Sequence, residues 1–188
     1  MDPRIRGNLF HAWFECLEWL AVEEMPSETM LRQKAVQLLI ADRTVEKLLP
    51  EFLQILQRPA VSAVFDPSTG GNSRVFAEWL PRIQTGEARF VVDRERAFVL
   101  PSGGELVQGT IDRLVQVRIG GRTMAADIVD FKTDRITGET AAWVQNICDQ
   151  YRPQLAEYRI ATGKITGLDP ARIQARLLLV EAGLAAEV

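Results

Sequence analysis

Two acidic residues lie inside apolar, strand-forming segments of the chain. Asp112 is part of Gly109-Thr-Ile-Asp-Arg-Leu114, and Asp130 is part of Ile128-Val-Asp-Phe-Lys-Thr133. Aspartate is depleted from strands and is costly to bury alone, so two such acids on neighbouring strands predict a cation between them. Lys132 follows Asp130 by two residues and therefore shares its face of the strand. Hard oxygen ligands beside a lysine indicate a magnesium-type ion and an anionic substrate.

The pairing register decides whether the two acids can meet. With a two-residue turn at Gly120-Gly121, Asp112 pairs with Val129, which places Asp130 on the opposite side of the sheet. A three-residue loop or one β-bulge between the acids restores a common side, so we predict such an irregularity. The second strand supports a polar and an apolar face, with Gln108, Thr110, Asp112 and Gln116 on one and Ile111, Val115, Val117 and Ile119 on the other.

An alternative interpretation of these residues requires no functional site. Asp130 and Lys132 then form a surface ion pair, and Asp112 pairs with Arg113 or with a lysine of a helix. Such pairs are common on strands and contribute less than about 1 kcal/mol. Spacing alone leaves both interpretations open.

Two further pairs of residues have the i, i+4 spacing of a helix face. His11 is the only histidine and follows Gly7 by four residues, and Gln154 precedes Tyr158 by four. A helical glycine costs about 1 kcal/mol relative to alanine, and close approach of another backbone or of a ligand explains it. Each pair also has a structural interpretation, in which His11 is a packing residue and Tyr158 is a partly buried residue of an amphipathic helix.

The elements that position these residues begin with helices. Apolar periodicity predicts helices from Ile5 to about Glu24, from a capping Ser27 to about Ala41, from Thr44 to Gln57 with a bend at Pro50, and a short one from Val75 to Pro81.

Strands follow after Gly86. We predict a meander of Arg89 to Leu100, Leu106 to Ile119 and Arg122 to Thr133, and a buried strand from Arg172 to Glu181. Between them Thr140 to about Ile160 is helical, with a new helix beginning near Pro153 and a stop at Gly163. The order predicts an α/β fold with a mixed central sheet, a three-strand meander plus a crossover strand, flanked by helices and preceded by a helical N-terminal portion.

The composition is that of one soluble globular domain, with 188 residues, 47% hydrophobic and 25% charged. A formal net charge of −3 excludes nucleic-acid binding by bulk positive charge. Two cysteines are too few for a disulfide framework, a zinc site built on cysteine pairs or a four-thiolate iron–sulfur cluster, which favours a reducing compartment. No signal-peptide or membrane-length apolar run is present, so we expect a cytoplasmic protein without membrane partners.

Four motifs in chain order resemble a known family. Gly-x-x-x-His, Gly-x-Ile-Asp-Arg-Leu, Ile-Val-Asp-Phe-Lys-Thr and Tyr-x-x-Gln-x-x-x-Tyr, over residues 7–158, resemble the C-terminal nuclease domain of RecB and AddA in the PD-(D/E)XK superfamily. The resemblance implies a restriction-endonuclease-like fold and one nuclease domain over residues 1–188, with a helical part of about 5–82 and an α/β catalytic core of about 86–188. Ile111 stands where the superfamily name has proline, as is common in RecB-like members, and the lack of four cysteines is similar to the cluster-free branch.

The resemblance also implies a metal site. Mg²⁺, which Mn²⁺ can replace, would be held by His11, Asp112 and Asp130, with the backbone carbonyl of Phe131 as a further ligand and no iron–sulfur cluster. Asp112, Asp130 and Lys132 would be the catalytic residues, Lys132 being the catalytic lysine. The implied reaction is magnesium-dependent hydrolysis of DNA phosphodiesters.

Gln154 and Tyr158 match the helical motif that borders the site in this family and helps to place DNA. The implied setting is an exonuclease module excised from a larger helicase–nuclease of double-strand-break processing, with a helicase motor that feeds single strands and a second subunit as further partners. Thr162-Gly-Lys-Ile lacks the upstream glycine of a phosphate loop, so the chain has no motor of its own.

Two other functions compete with a nuclease. One is a catalytically silent DNA-binding or scaffolding domain of the same fold. The other is a metal-dependent hydrolase of a small phosphorylated substrate, against which the lack of a glycine-rich phosphate cradle speaks.

Overall fold

The computed structural model describes residues 3–20, 25–102 and 105–188. Its helices are α1 (Pro3–Glu15), α2 (Glu28–Gln37), α3 (Asp42–Leu56), α4 (Pro59–Val64), α5 (Leu80–Gln84) and α6 (Thr140–Thr166), and short 3₁₀ turns cover Pro67–Thr69, Arg74–Trp79 and Pro170–Arg172. The strands are β1 (Arg89–Ser102), β2 (Glu105–Ile119), β3 (Arg122–Lys132), β4 (Ile173–Leu179) and β5 (Leu184–Glu187).

The strands form one mixed sheet in the order β1-β2-β3-β4-β5. β1, β2 and β3 are an antiparallel meander, and β4 joins β3 in parallel after the α6 crossover. These findings confirm the predicted fold class. The antiparallel edge strand β5 was not predicted, because four residues carry too little alternation to be recognised.

Helices cover both sides of the sheet. On one side the N-terminal helices pack an aromatic core against the sheet, which includes Phe14, Phe52, Phe65, Phe131 and Leu178. On the other side α6 packs Ile147 and Leu155 against Leu114, Ile128 and Leu177. All seven residues of β4 are buried, as expected for a strand covered on both faces.

A β-bulge separates the turn of the β2–β3 hairpin from the rest of the pairing. Ile119 pairs with Arg122, but Val117 pairs with Ala125, so Met124 is the extra residue. From the bulge to Arg113↔Val129 the paired numbers have an even sum. The predicted irregularity is confirmed, and continuing this register sets Asp112 opposite Asp130.

The predicted faces of β2 are correct only in part. Val115 and Val117 lie in one apolar cluster, beside Ile119, whereas Ile111 belongs to the cluster under α6. Leu114, three residues from Ile111, belongs to that same cluster, so side-chain alternation is interrupted between them.

The first helix is shorter than predicted. Of the segment Ile5 to Glu24, residues 21–24 lie outside the described residues, and α1 ends well before them. The Leu17 N–H donates to the Phe14 carbonyl in a tight turn, and the Arg113 guanidinium donates to the carbonyls of Leu17 and Glu18. This long-range contact holds the chain in a non-helical path.

The last helix is longer than predicted. α6 continues through Pro153 and past Gly163, and it ends with Gly167 in the left-handed conformation at φ 73°. The predicted new helix at Pro153 and the stop at Gly163 are therefore wrong. Ile147 and Leu155 pack into the same core on either side of the proline, which stabilises the helix across the lost hydrogen bond.

α2 and α3 agree with prediction to within a few residues, whereas α4 (Pro59–Val64) was not predicted. α2 ends at Gln37 because Leu39 adopts a φ of 57° there, and Ser27 precedes α2 without a side-chain capping bond. α3 contains Pro50. The predicted helix at Val75–Pro81 is a 3₁₀ turn followed by α5. Among the helices of the described ranges, none is long and apolar enough to cross a membrane.

Candidate metal centre

The two acids meet where β2 and β3 separate. Ladder pairing ends at Arg113↔Val129, and beyond it the Phe131 N–H donates to Asp112 Oδ2 at 2.7 Å. The Asp112 side chain thus takes the place of a backbone acceptor at the fork. Asp130, on the neighbouring strand, is 2% exposed.

Lys132 contacts Asp130 inside the protein. Its Nζ lies 2.7 Å from Asp130 Oδ2 and 3.7 Å from the centre of the Tyr151 ring of α6. The side chains of Lys132 and Asp130 are 13% and 3% exposed, so the alternative of a surface ion pair is wrong. Asp112 does not pair with Arg113, whose guanidinium binds main-chain carbonyls instead.

α1 brings His11 to the same fork. His11 Nδ1 lies 3.5 Å from Asp112 Oδ2, and its ring packs edge-on against Phe131. Gly7, one turn earlier, faces the end of β3, where an added Cβ would lie 3.1 Å from the Thr133 hydroxyl. The glycine therefore permits the close approach of α1 that places His11 beside Asp112.

Glu95 of β1 also reaches the site and was not found from the sequence. Ligand atoms of His11, Glu95 and Asp112 all lie within 4.8 Å of one another. The β1–β2 register sets Glu95 opposite Asp112, and Glu95 has a φ of 52°, which is unusual in a strand. An acid in the polar run Asp93-Arg-Glu-Arg96 was the available signal, but residue type does not reveal a left-handed kink.

The surroundings of the acidic residues in the site disfavour their ionised forms. Burial, followed by repulsion from Asp130, raises the pKa of Asp112 to about 7. Burial also raises the pKa of Asp130, although Lys132 offsets part of the effect. For Glu95, burial and then repulsion from Asp112 raise the pKa, and burial lowers the pKa of His11, which favours the neutral imidazole.

The residues of the site fit a hard divalent cation. Carboxylates and backbone carbonyls are the ligands that Mg²⁺ and Mn²⁺ prefer, and the neutral imidazole of His11 adds a softer nitrogen donor. The buried Oδ2 of Asp130 lies beside Lys132 but accepts no well-directed hydrogen bond from any residue that the structure describes, so it retains acceptor capacity. A cation among these groups would relieve the repulsion that raises the pKa of Asp112.

Gln154 and Tyr158 lie on α6 beside the cluster. Gln154 Nε2 donates to the Tyr158 hydroxyl at 2.5 Å. Tyr158 is 6% exposed and packs edge-on against Phe98. It is therefore a buried packing residue of an amphipathic helix, as the structural alternative predicts. Burial raises the pKa of Tyr158 to about 12, and repulsion from Asp130 and Asp112 adds to the rise.

The fold and this cluster define a restriction-endonuclease-like α/β domain with two acids and a lysine at the fork of its central strands. Residues 1–187 match the family model of the PD-(D/E)XK nuclease superfamily, and the chain belongs to that superfamily. Its members are mostly nucleases that generally use divalent metals such as Mg²⁺. No curated protein matches the chain significantly.

Proposed function

We propose that the chain is a metal-dependent deoxyribonuclease that hydrolyses phosphodiester bonds. The observation that carries the proposal is the convergence of His11, Asp112, Asp130 and Lys132, which come from α1, β2 and β3, at one fork of the sheet. Membership of a nuclease superfamily supports the same reaction.

We propose that His11, Asp112, Asp130 and the Phe131 carbonyl hold the metal. Of these, His11 and Asp112 have ligand atoms within 4.8 Å of one another and of a carboxylate oxygen of Glu95, which adds a further ligand, whereas Asp130 is not part of that close group. When bound, Mg²⁺ or Mn²⁺ supplies charge neutralisation at the scissile phosphate and acidifies a water molecule. The Phe131 N–H fixes one oxygen of Asp112, which leaves the other oxygen for the ion. The neutral form of His11 offers a ring nitrogen without adding repulsion.

Lys132 provides the positive charge that the protein itself brings to the reaction. Asp130 and the Tyr151 ring hold its ammonium group at the site. We assign it to orient the attacking water and to stabilise the negative charge that grows on the phosphate in the transition state. Gln154 and Tyr158 border the site from α6, where the amide and phenol would contact the DNA strand.

The four-motif resemblance is the main support for placing the chain in a larger protein. We propose an exonuclease module of a RecB/AddA-like helicase–nuclease in double-strand-break processing, in which a motor feeds single strands to the site. The net charge of −3 supports this setting, because an acidic domain binds free DNA weakly and benefits from delivery. Two cysteines fit a cytoplasmic, reducing environment. The length and domain content of the full polypeptide test this assignment.

A cleavage assay tests the reaction itself. Labelled single-stranded and double-stranded DNA are incubated with the protein, with and without Mg²⁺, beside Asp130→Ala and Lys132→Ala. Lys47→Ala, an exposed lysine of α3, serves as the matched control. We expect metal-dependent cutting that the first two variants lose and the control retains.

Other results of this assay favour the competing functions. DNA binding without cutting by the correctly folded wild-type protein supports a silent DNA-binding domain. Hydrolysis of small phosphate esters without any cleavage of DNA supports the small-substrate hydrolase.

A further inference from the structure

A second polar cleft lies on the α6 side of the sheet, and one of its residues, Arg96, adjoins Glu95 of the metal centre. It has a volume of about 500 Å³ and is formed by β1, β2, the β2–β3 turn and the C-terminal end of α6. We call it the arginine cleft, and its charged and polar residues are Asp93, Arg96, Gln116, Arg118, Arg122 and Thr123. Three cations and one anion give it a net positive charge in a chain whose net charge is −3.

Hydrogen bonds hold most of the polar groups of the cleft in place, but one buried donor among the described residues is unpaired. Thr123 Oγ1 donates to Gln116 Oε1, and Gln116 Nε2 donates to Asp93 Oδ2, both at 2.8 Å. Gln116 thus engages the one acid of the cleft. Arg118 donates from Nη2 to the Gly121 carbonyl, but its buried Nε has no hydrogen-bond partner among the described residues. A buried N–H of this kind calls for an acceptor that the described part of the chain does not supply.

The position of the cleft relates it to the metal centre. Gln116 follows Asp112 by four residues of β2, about 13 Å at roughly 3.3 Å per residue. On β1, Arg96 is the next residue after Glu95. Arg118 pairs with Thr123 on the turn side of the bulge that aligns the acids. Leu114 of β2 is buried under α6, but residues 94–97 of the edge strand β1 are exposed, so one strand could pass from the metal centre to the arginine cleft along β1.

We infer that the arginine cleft binds backbone phosphates of the DNA strand beyond the bond that is cut. Guanidinium groups match phosphate oxygens in a bidentate geometry, and an electropositive groove along the backbone is the usual device for single strands. A distance of about 13 Å exceeds the spacing of neighbouring phosphates, which is about 3.4 Å along the axis for one strand of a duplex, so Gln116 lies beyond the phosphate next to the metal centre. This inference rests on the proposed nuclease function and adds the path of its substrate.

The test uses Arg96→Gln/Arg122→Gln and a charge-matched control, Arg43→Gln/Lys47→Gln on exposed positions of α3. Arg118 is left intact because it holds the turn. An oligothymidylate of about 12 nucleotides, within the roughly 4–16 that such grooves cover, is titrated by fluorescence anisotropy in EDTA at several salt concentrations. A small chromogenic phosphodiester, bis-nitrophenyl phosphate, reports the chemistry alone in Mg²⁺.

We expect the double cleft variant to reduce the salt slope of binding by about 1.4, since each phosphate contact to a single strand contributes about 0.7. The KM for the oligonucleotide should rise several-fold, and turnover of the small diester should match wild type. Equal salt slopes and equal KM values for the cleft variant and the control overturn the inference, even where DNA cleavage upholds the nuclease. If the cleft variant has a reduced salt slope but the wild-type protein cleaves no DNA, the phosphate-binding role of the cleft is supported and the proposed nuclease function is refuted.

Competition separates a strand from a free anion. Inorganic phosphate and thymidine monophosphate are added to the wild-type complex, and we expect neither to displace the oligonucleotide at millimolar concentrations. Displacement that the cleft variant abolishes would assign the site to a small phosphorylated ligand and overturn the inference.

Discussion

Replacing Asp112 by asparagine should stabilise the metal-free protein at pH 8 while removing its response to metal. Ionised Asp112 is buried beside Asp130, and both effects raise the pKa of Asp112 from 3.8 to about 7. Asparagine removes the charge, and its side-chain oxygen can still accept the Phe131 N–H. The wild-type protein therefore holds an unfavourable charge that only a bound cation relieves.

The sign and size follow from linkage. A carboxyl whose folded pKa is raised keeps its proton in the folded state between pH 3.8 and about 7, so stability falls as pH rises through that window. At about 1.4 kcal/mol per pKa unit the full loss is about 4 kcal/mol. We expect Asp112→Asn to recover about 2–4 kcal/mol at pH 8, a rise in Tm of at least about 5 °C for a chain of this size.

The assay is thermal and urea unfolding in EDTA at pH 5 and pH 8, repeated with Mn²⁺. Glu157→Gln, an exposed acid of α6, is the control and should be neutral at both pH values. Mn²⁺ at about 100 times its Kd should stabilise wild type by about 2.7 kcal/mol and Asp112→Asn much less. A folded Asp112→Asn protein no more stable than wild type at pH 8 refutes the reasoning.

Three further predictions concern chemistry, packing and a buried ion pair. Lys132→Gln should slow single-turnover DNA cleavage by about 100-fold or more while Mn²⁺ affinity, measured by electron paramagnetic resonance, stays close to wild type. Gly109→Ala should destabilise by about 1–3 kcal/mol in urea, because its Cβ would lie 2.7 Å from the Phe98 ring. Asp127→Ala should cost about 3–5 kcal/mol, because it leaves the buried Arg176 guanidinium without its carboxylate at 2.6 Å.

Each of these has a control and a contrary result. Lys47→Gln should cut normally, and cleavage by Lys132→Gln within about threefold of wild type contradicts the assigned role. Phe98→Leu should recover part of the stability lost in Gly109→Ala, and no loss at all contradicts the contact. Glu187→Ala, which breaks an exposed ion pair with Arg74, should lower the free energy of unfolding by less than about 1 kcal/mol. If Asp127→Ala lowers it by no more than Glu187→Ala does, burial does not strengthen the Asp127–Arg176 pair.

The sequence predicts the sheet and most of the site because both depend on local signals. Apolar runs define the strands. If the two acids share a side of the sheet, the parity of residue numbers requires a three-residue loop or a bulge, and Met124 provides the bulge. Glu95 could not be predicted as a site residue, because nothing in its residue type indicates a left-handed backbone inside a strand. The end of α1 depends on a contact with Arg113, nearly a hundred positions away in the chain. Local apolar periodicity cannot predict such a long-range contact.

The last long strand of the sheet has a bearing on when the protein can act during its synthesis. β3, which carries Asp130, is flanked on one side by β4, where Asp130 lies beside Leu177. A nascent chain that has produced every group of the metal centre still lacks the neighbour that completes its central strand. We therefore expect the proposed nuclease site to form only after β4 has been translated.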